Sequence, residues 1–104
     1  MTAIEYIRAS PQRFNPEAMS GAETCFHFSI FGEKGGELTV NIKDGHCNVQ
    51  DGLHGSPKCF VQATDDTYMG IINGKLNGSI AYMQGKLRIS DMAENMRFSK
   101  LFWS

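Results

Sequence analysis

The amino-acid sequence predicts an α+β domain, with helices laid over one face of an antiparallel sheet. Three observations carry this. From Thr24 the apolar residues recur at every second position, the period of a half-buried strand, and the pattern returns through Ala63. On either side of that stretch they recur at helical spacing, behind proline, asparagine or aspartate start signals. Asp44-Gly45 stands between two alternating runs, a strong short-range sign of a hairpin.

Ala3 to Ala9 carries Ile4 and Ile7 at helical spacing and reads as a short helix. Ser10-Pro11 marks a break and a new cap, and Asn15-Pro16-Glu17 repeats the device with a carboxylate near the dipole's positive end. Phe26, Phe28 and Ile30 then share one strand face, opposite His27 and Ser29. A turn at Glu33–Gly36 leads to Leu38, Val40 and Ile42, and beyond the hairpin Cys47 and Val49 continue the inner face. After a polar loop from Asp51 to Pro57, Cys59, Val61 and Ala63 point inward, with Phe60 and Gln62 outward. The polar outer positions imply an antiparallel sheet with one wet face.

Asp65 reads as the cap of a helix carrying Tyr68, Ile71 and Ile72 and ending at Gly74. A second short helix, bracketed by Gly74 and Gly85, carries Leu76, Ile80, Tyr82 and Met83 toward a strand with Leu87 and Ile89 inside and Lys86 and Arg88 outside. Large flexible apolar groups packed on a strand are how a cavity wall is built. Asp91 caps a last helix, with Met92, Met96, Leu101 and Phe102 expected toward the core.

At 104 residues the chain is one domain, long enough for one core. Eleven acidic and ten basic residues argue against nucleic acid as a partner. The three cysteines, Cys25, Cys47 and Cys59, are odd in number and far apart, and read as small hydrophobes in a reducing compartment. Neither a signal peptide nor a membrane-spanning run is legible, so the expectation is a soluble, cytoplasmic chain. A transient contact with a membrane surface stays open.

No catalytic constellation emerges. His46, Cys47, His54 and Cys59 lack finger spacing, and His46 and Cys47, adjacent in a strand, face opposite ways, so no metal site is assigned. Asp65-Asp66 is explained as a cap and its neighbour in the first turn. Gly70 to Lys75 has the wrong length for a phosphate loop and lies at a helix end, whereas such loops use a helix start. Lys86 and Arg88 read as a solvated strand face; the functional alternative is a landing place for an anionic head group. Neither a cofactor nor a catalytic residue is expected.

Met69, Met83, Met92 and Met96 point instead to a deformable pocket, because methionine adapts to variable partners. Magnitudes constrain it. A rigid void of ligand size, roughly 300 Å³ or more, would cost about 7 kcal/mol or more. A whole domain is stable by only about 5–15 kcal/mol. Such a pocket must be filled, or its walls must close.

The ordered set of motifs resembles the sterol carrier protein type 2 lipid-binding domain family over nearly the whole chain, including bacterial-type members at Phe14-Asn-Pro-Glu-Ala18. The residues that carry it run from Phe26-His-Phe28 through Gly35-Gly36, Thr39-Val40-Asn-Ile42 and Lys43-Asp44-Gly45 to Cys59-Phe-Val61. Asp65-Asp-Thr-Tyr68, Asn73-Gly-Lys-Leu76, Ala81-Tyr-Met83, Gly85-Lys-Leu-Arg-Ile89 and Asp91-Met92 with Met96 complete it. The resemblance implies a five-stranded, mostly antiparallel sheet with helices enclosing an apolar tunnel for a fatty acid, acyl-CoA, phospholipid or sterol, and no catalytic residues. It would be lined by Phe28, Val40, Ile42, Val61, Leu87 and Ile89. Its lid would be Tyr68, Ile71, Ile72, Leu76, Met83, Met92, Met96 and Phe102.

Three departures from the family pattern bear on this. Gly78 stands where members often have proline, which predicts a looser turn between the two helices. A glycine is missing between Ser90 and Asp91, and the chain ends soon after the last helix. The short end predicts either an open tunnel mouth or Phe102 and Trp103 free to pack on a second copy as a homodimer. The expected function is therefore reversible burial of a lipid tail. The rivals are an accessory protein with a collapsed tunnel, supporting a lipid- or quinone-pathway enzyme, and an enzyme acting on a lipid through His27 or His54.

Overall fold

Five strands form one mixed sheet in the order β3-β2-β1-β4-β5. They are β1 (Thr24–Phe31), β2 (Gly36–Lys43), β3 (His46–Asp51), β4 (Cys59–Thr64) and β5 (Leu87–Ile89). This architecture is that of a computed structural model, which describes residues 1–103. Three of the four neighbouring pairs are antiparallel, as the expectation of a five-stranded, mostly antiparallel sheet has it, and the one parallel pair, β1 with β4, lies at the centre of the sheet.

A parallel partner needs a crossover, and the 52–58 segment supplies it. It is strapped to the outer sheet face. Thr39 Oγ1 donates to the Gly52 carbonyl (2.8 Å) and accepts from the His54 N–H (2.9 Å), while His27 Nε2 donates to the His54 carbonyl (2.8 Å). Thr39 and Ser29 are therefore buried, and this face is drier at its middle than the alternation implied.

On the other face lie α1 (Ala3–Arg8), α2 (Ser10–Arg13), α3 (Asp65–Ile72), α4 (Gly78–Met83), α5 (Met92–Arg97) and α6 (Ser99–Phe102). α1 starts with a capping box: Thr2 Oγ1 accepts from the Glu5 N–H, and the Glu5 carboxylate accepts from the Thr2 N–H. Those bonds hold the Glu5 carboxyl below its ordinary range. The expected cap of α3 shifts by one residue. Thr64, extended at the end of β4, accepts from the Thr67 N–H, and Asp65 instead accepts from the Ala3 N–H at 2.6 Å, tying α1 to α3. Asn15 also caps, accepting from the N–H groups of Glu17 and Ala18. No helix follows it, because Gly21 takes a φ of +77° and turns the chain into β1.

The interior is aromatic. Phe26, Phe28, Tyr68, Phe98 and Phe102 are essentially inaccessible, with the Phe102 ring 4.7 Å from Phe26 and 4.9 Å from Phe28, centroid to centroid. Register explains the convergence. Phe26 sits opposite Cys59 and Val40, and Phe28 opposite Val61 and Leu38, so one face of three strands is apolar throughout. Tyr68 spans this layer, donating its hydroxyl to the Phe102 carbonyl at 2.5 Å, and full burial pushes its phenol well above the ordinary value. Arg13 closes the end of the core, stacking on the Tyr6 ring at 3.7 Å and donating to the Leu101 carbonyl.

The last helix departs from expectation. Asp91 caps it, accepting from the Glu94 N–H at 3.0 Å, but the chain breaks at Phe98 into two short helices. The buried stripe is Glu94, Asn95, Phe98, Leu101 and Phe102, and Met92 and Met96 face outward, at 37% and 67% exposure. Polar side chains with fixed partners turn the helix this way. Glu94 accepts from Thr24 Oγ1 at 2.6 Å and from Arg97 at 2.8 Å, and Asn95 accepts from the Trp103 indole.

Candidate functional site

α4 has six residues, and only Ala81 of them reaches the core. Ile80, Tyr82 and Met83 are exposed by 53%, 42% and 83%, so the wall expected there is not packed down on β5. Between α4 and α5 a cleft of about 430 Å³ opens instead, within the range of small-molecule sites. Leu87 and Ile89 of β5 and Ile71 of α3 form its floor. Gly78, Ser79, Tyr82 and Met83 of α4 make one wall, and Met92, Asn95, Met96, Ser99 and Trp103 make the other. None of these residues is charged.

Six of the fourteen residues expected to surround the ligand therefore meet here: Ile71, Met83, Leu87, Ile89, Met92 and Met96. Phe28, Val40, Ile42, Val61, Tyr68 and Phe102 are 0–1% exposed and packed against one another and the core rather than around a tunnel. Ile72 is half-buried against that core. Leu76 folds back over Gly70, where an added Cβ would meet its Cδ1 at 2.7 Å and its Cγ at 2.9 Å, so a larger residue there would push the Leu76 side chain aside.

The turn expected to be loose at Gly78 is held. Asn77 caps α4 by accepting from the Ile80 N–H at 3.1 Å, and Gly78 is the first helical residue. Its missing side chain widens the cleft, since a Cβ there would reach Ile71 Cγ2 at 3.7 Å. Phe102 and Trp103 are not free. Phe102 is inside the core, and Trp103 stacks on Tyr68 at 4.4 Å with its indole N–H donated to Asn95 Oδ1 at 2.9 Å.

Asn95, Ser99 and Trp103 are cleft residues the sequence reading missed. A signal existed: Met92, Asn95, Met96 and Ser99 follow i, i+3, i+4, i+7, a helical stripe interrupted by polar groups. His27 and His54 do converge on the opposite sheet face, but His27 Nε2 donates to the His54 carbonyl and His54 Nε2 to the Asp51 carbonyl (2.7 Å). Among the described residues no group of His, Cys, Asp and Glu is placed to hold a metal ion. Burial pushes the Cys47 thiol up to about 11, with a smaller opposing effect from Arg13, and raises Cys25 and Cys59 as well. These are poor nucleophiles at neutral pH.

The SCP-2 sterol transfer family matches residues 5–102. The chain belongs to that family. A related sequence, hydroxysteroid dehydrogenase-like protein 2 of Xenopus tropicalis, is 26% identical over 99 residues, covering 93% of this chain and 24% of its own length. In fold, this SCP-2 domain superposes on sterol carrier protein 2 like 2 of Aedes aegypti with a TM-score of 0.73 at 23% identity, covering 94% of this chain and 90% of that one. The solution structure of the palmitated form of that protein gives a TM-score of 0.71 at 20% identity, covering 100% and 96%. A double mutant of the sec-alkyl sulfatase PisA1 gives 0.83 at 18% identity, covering all of this chain and 17% of the sulfatase. The likenesses to solved structures are ones of fold. The SCP-2 domain spans about a quarter of its curated relatives and a smaller share of the sulfatase. No helix among the described residues is long and apolar enough to cross a membrane.

Proposed function

We propose that this SCP-2 domain is a non-enzymatic lipid carrier that takes one acyl or isoprenoid tail into the cleft between α4 and α5. The observation that carries the reading is a ligand-sized, uncharged cleft walled by three methionines on two short helices. Such side chains conform to tails of differing shape, and α4, which sends only Ala81 into the core, can shift without unpacking the aromatic rings, whereas α5 is anchored through Asn95 and Phe98. Each methylene transferred from water contributes about 0.8 kcal/mol. Family membership and a palmitated fold relative support a lipid as the cargo.

An accessory protein working through a homodimer draws on outward Phe60 and on a free Phe102-Trp103; Phe60 is 38% exposed, but Phe102 and Trp103 pack within the chain. A lipid enzyme drew on His27 or His54, and each ring donates to a backbone carbonyl on the far side of the sheet from the cleft. The test is native mass spectrometry with organic extraction, paired with emission of the sole tryptophan, Trp103, which lines the cleft. A bound lipid mass and a saturable emission shift on adding fatty acid or acyl ester are expected. A clean protein mass and unchanged emission with every lipid offered would overturn the proposal.

A further inference from the structure

Asn95 is the one amide side chain in a cleft with a hydrocarbon floor, whose walls also carry the hydroxyl residues Ser79, Tyr82 and Ser99, and it is 7% exposed. Its orientation is fixed. The Trp103 indole N–H can only donate, so the side chain's Oδ1 faces it at 2.9 Å and the Nδ2 group turns the other way. There it meets only the thioether sulfur of Met92 at 3.9 Å, a weak acceptor. A buried amide N–H that lacks a good acceptor is costly, and a ligand that supplies one is favoured by the same amount.

We propose that Asn95 Nδ2 is a specificity-determining donor for a neutral oxygen on the bound lipid: an ester or ketone carbonyl, or a hydroxyl. The inference rests on the lipid-carrier reading and narrows its cargo. Charge decides the class. No cationic side chain lines the cleft, and Arg97, the nearest in sequence on α5, is engaged by Glu94 at 2.8 Å. A carboxylate carried down to Asn95 would be buried without a counter-ion, which costs far more than one hydrogen bond returns. A neutral oxygen carries no such cost.

The test titrates the full chain with a medium-chain methyl ketone and with the n-alkane of the same length, reading the Asn95 side-chain amide and the methionine methyls by NMR. The ketone should shift the Asn95 Nδ2 protons saturably. The alkane should move the Met83, Met92 and Met96 methyls alone, and the ketone should bind about five- to tenfold more tightly, the worth of one uncharged hydrogen bond. Asn95→Leu removes the donor without adding charge and should erase the ketone's advantage over the alkane, both affinities being read in the same variant. Methyl shifts with a stationary Asn95 amide, or a Leu variant with an undiminished ketone preference, would overturn this inference and leave the carrier reading standing. No shift with either ligand would remove both.

Discussion

Two apolar regions of this molecule look alike in sequence and behave oppositely in the fold. Around Phe26, Phe28, Tyr68, Phe98 and Phe102 every ring is covered, and centroids stand 4.7–6.4 Å apart. A few residues away, Tyr82, Met83, Met92 and Met96 hold 37–83% of their surface in the open around a cleft. Both regions satisfy the same helical or strand periodicity. They differ in what lies opposite. The first faces a three-strand layer in register, whereas the second faces a three-residue edge strand with little to cover it. Solid packing gives the domain its stability, and the uncovered margin leaves a cleft of ligand size.

The largest expected effect breaks the solid side. Phe28→Ala should cost about 3–5 kcal/mol in a urea titration, because three strands and two helices meet at this fully buried ring. Tyr68→Phe should cost about 1–3 kcal/mol, since the Phe102 carbonyl would be left buried without its donor, and should leave lipid affinity within about twofold. On the open side the pattern should reverse. Met83→Ser, at a residue 83% exposed, should change stability by less than about 0.5 kcal/mol yet weaken lipid binding roughly tenfold in a fluorescence titration.

The smallest effect is a pH dependence. The folded-state pKa of Cys47 is raised from 9.0 to about 11, so above pH 9 the unfolded chain releases this proton before the folded one does. Its contribution is complete below pH 9 and is lost as pH rises toward 11. Cys47→Ala should therefore flatten the fall in melting temperature across that interval. An identical decline in both proteins would contradict the burial of the thiol.

The strand register was legible because alternation at Phe26–Ile30, Leu38–Ile42 and Cys59–Ala63 has a single reading once one face is dry. The Asp44-Gly45 turn was legible from its residues, and Asp44 takes the positive φ (53°) that this turn requires. The parallel pairing of β1 and β4 was not, since alternation is blind to strand direction. Nor was the rotation of α5. A pattern of apolar residues placed Met92 and Met96 inside, but Glu94 reached Thr24 in a distant strand, Asn95 reached Trp103 eight residues on, and both took the buried positions. Six of the residues expected to line a ligand site border the cleft because they flank the edge strand, and most of the others lie in the core among rings that sequence could not place in space.

The chain's six methionines divide evenly between the two regions and elsewhere: Met83, Met92 and Met96 line the cleft, while Met1, Met19 and Met69 do not. Methyl NMR of the labelled methionines during a lipid titration therefore tests the central claim most directly. We expect the first three resonances to shift together and saturate with the Trp103 emission change, and the other three to stay within their starting line widths. Movement of Met69 with a stationary Met83, Met92 and Met96 would place the tail inside the aromatic core and contradict a cleft-bound lipid.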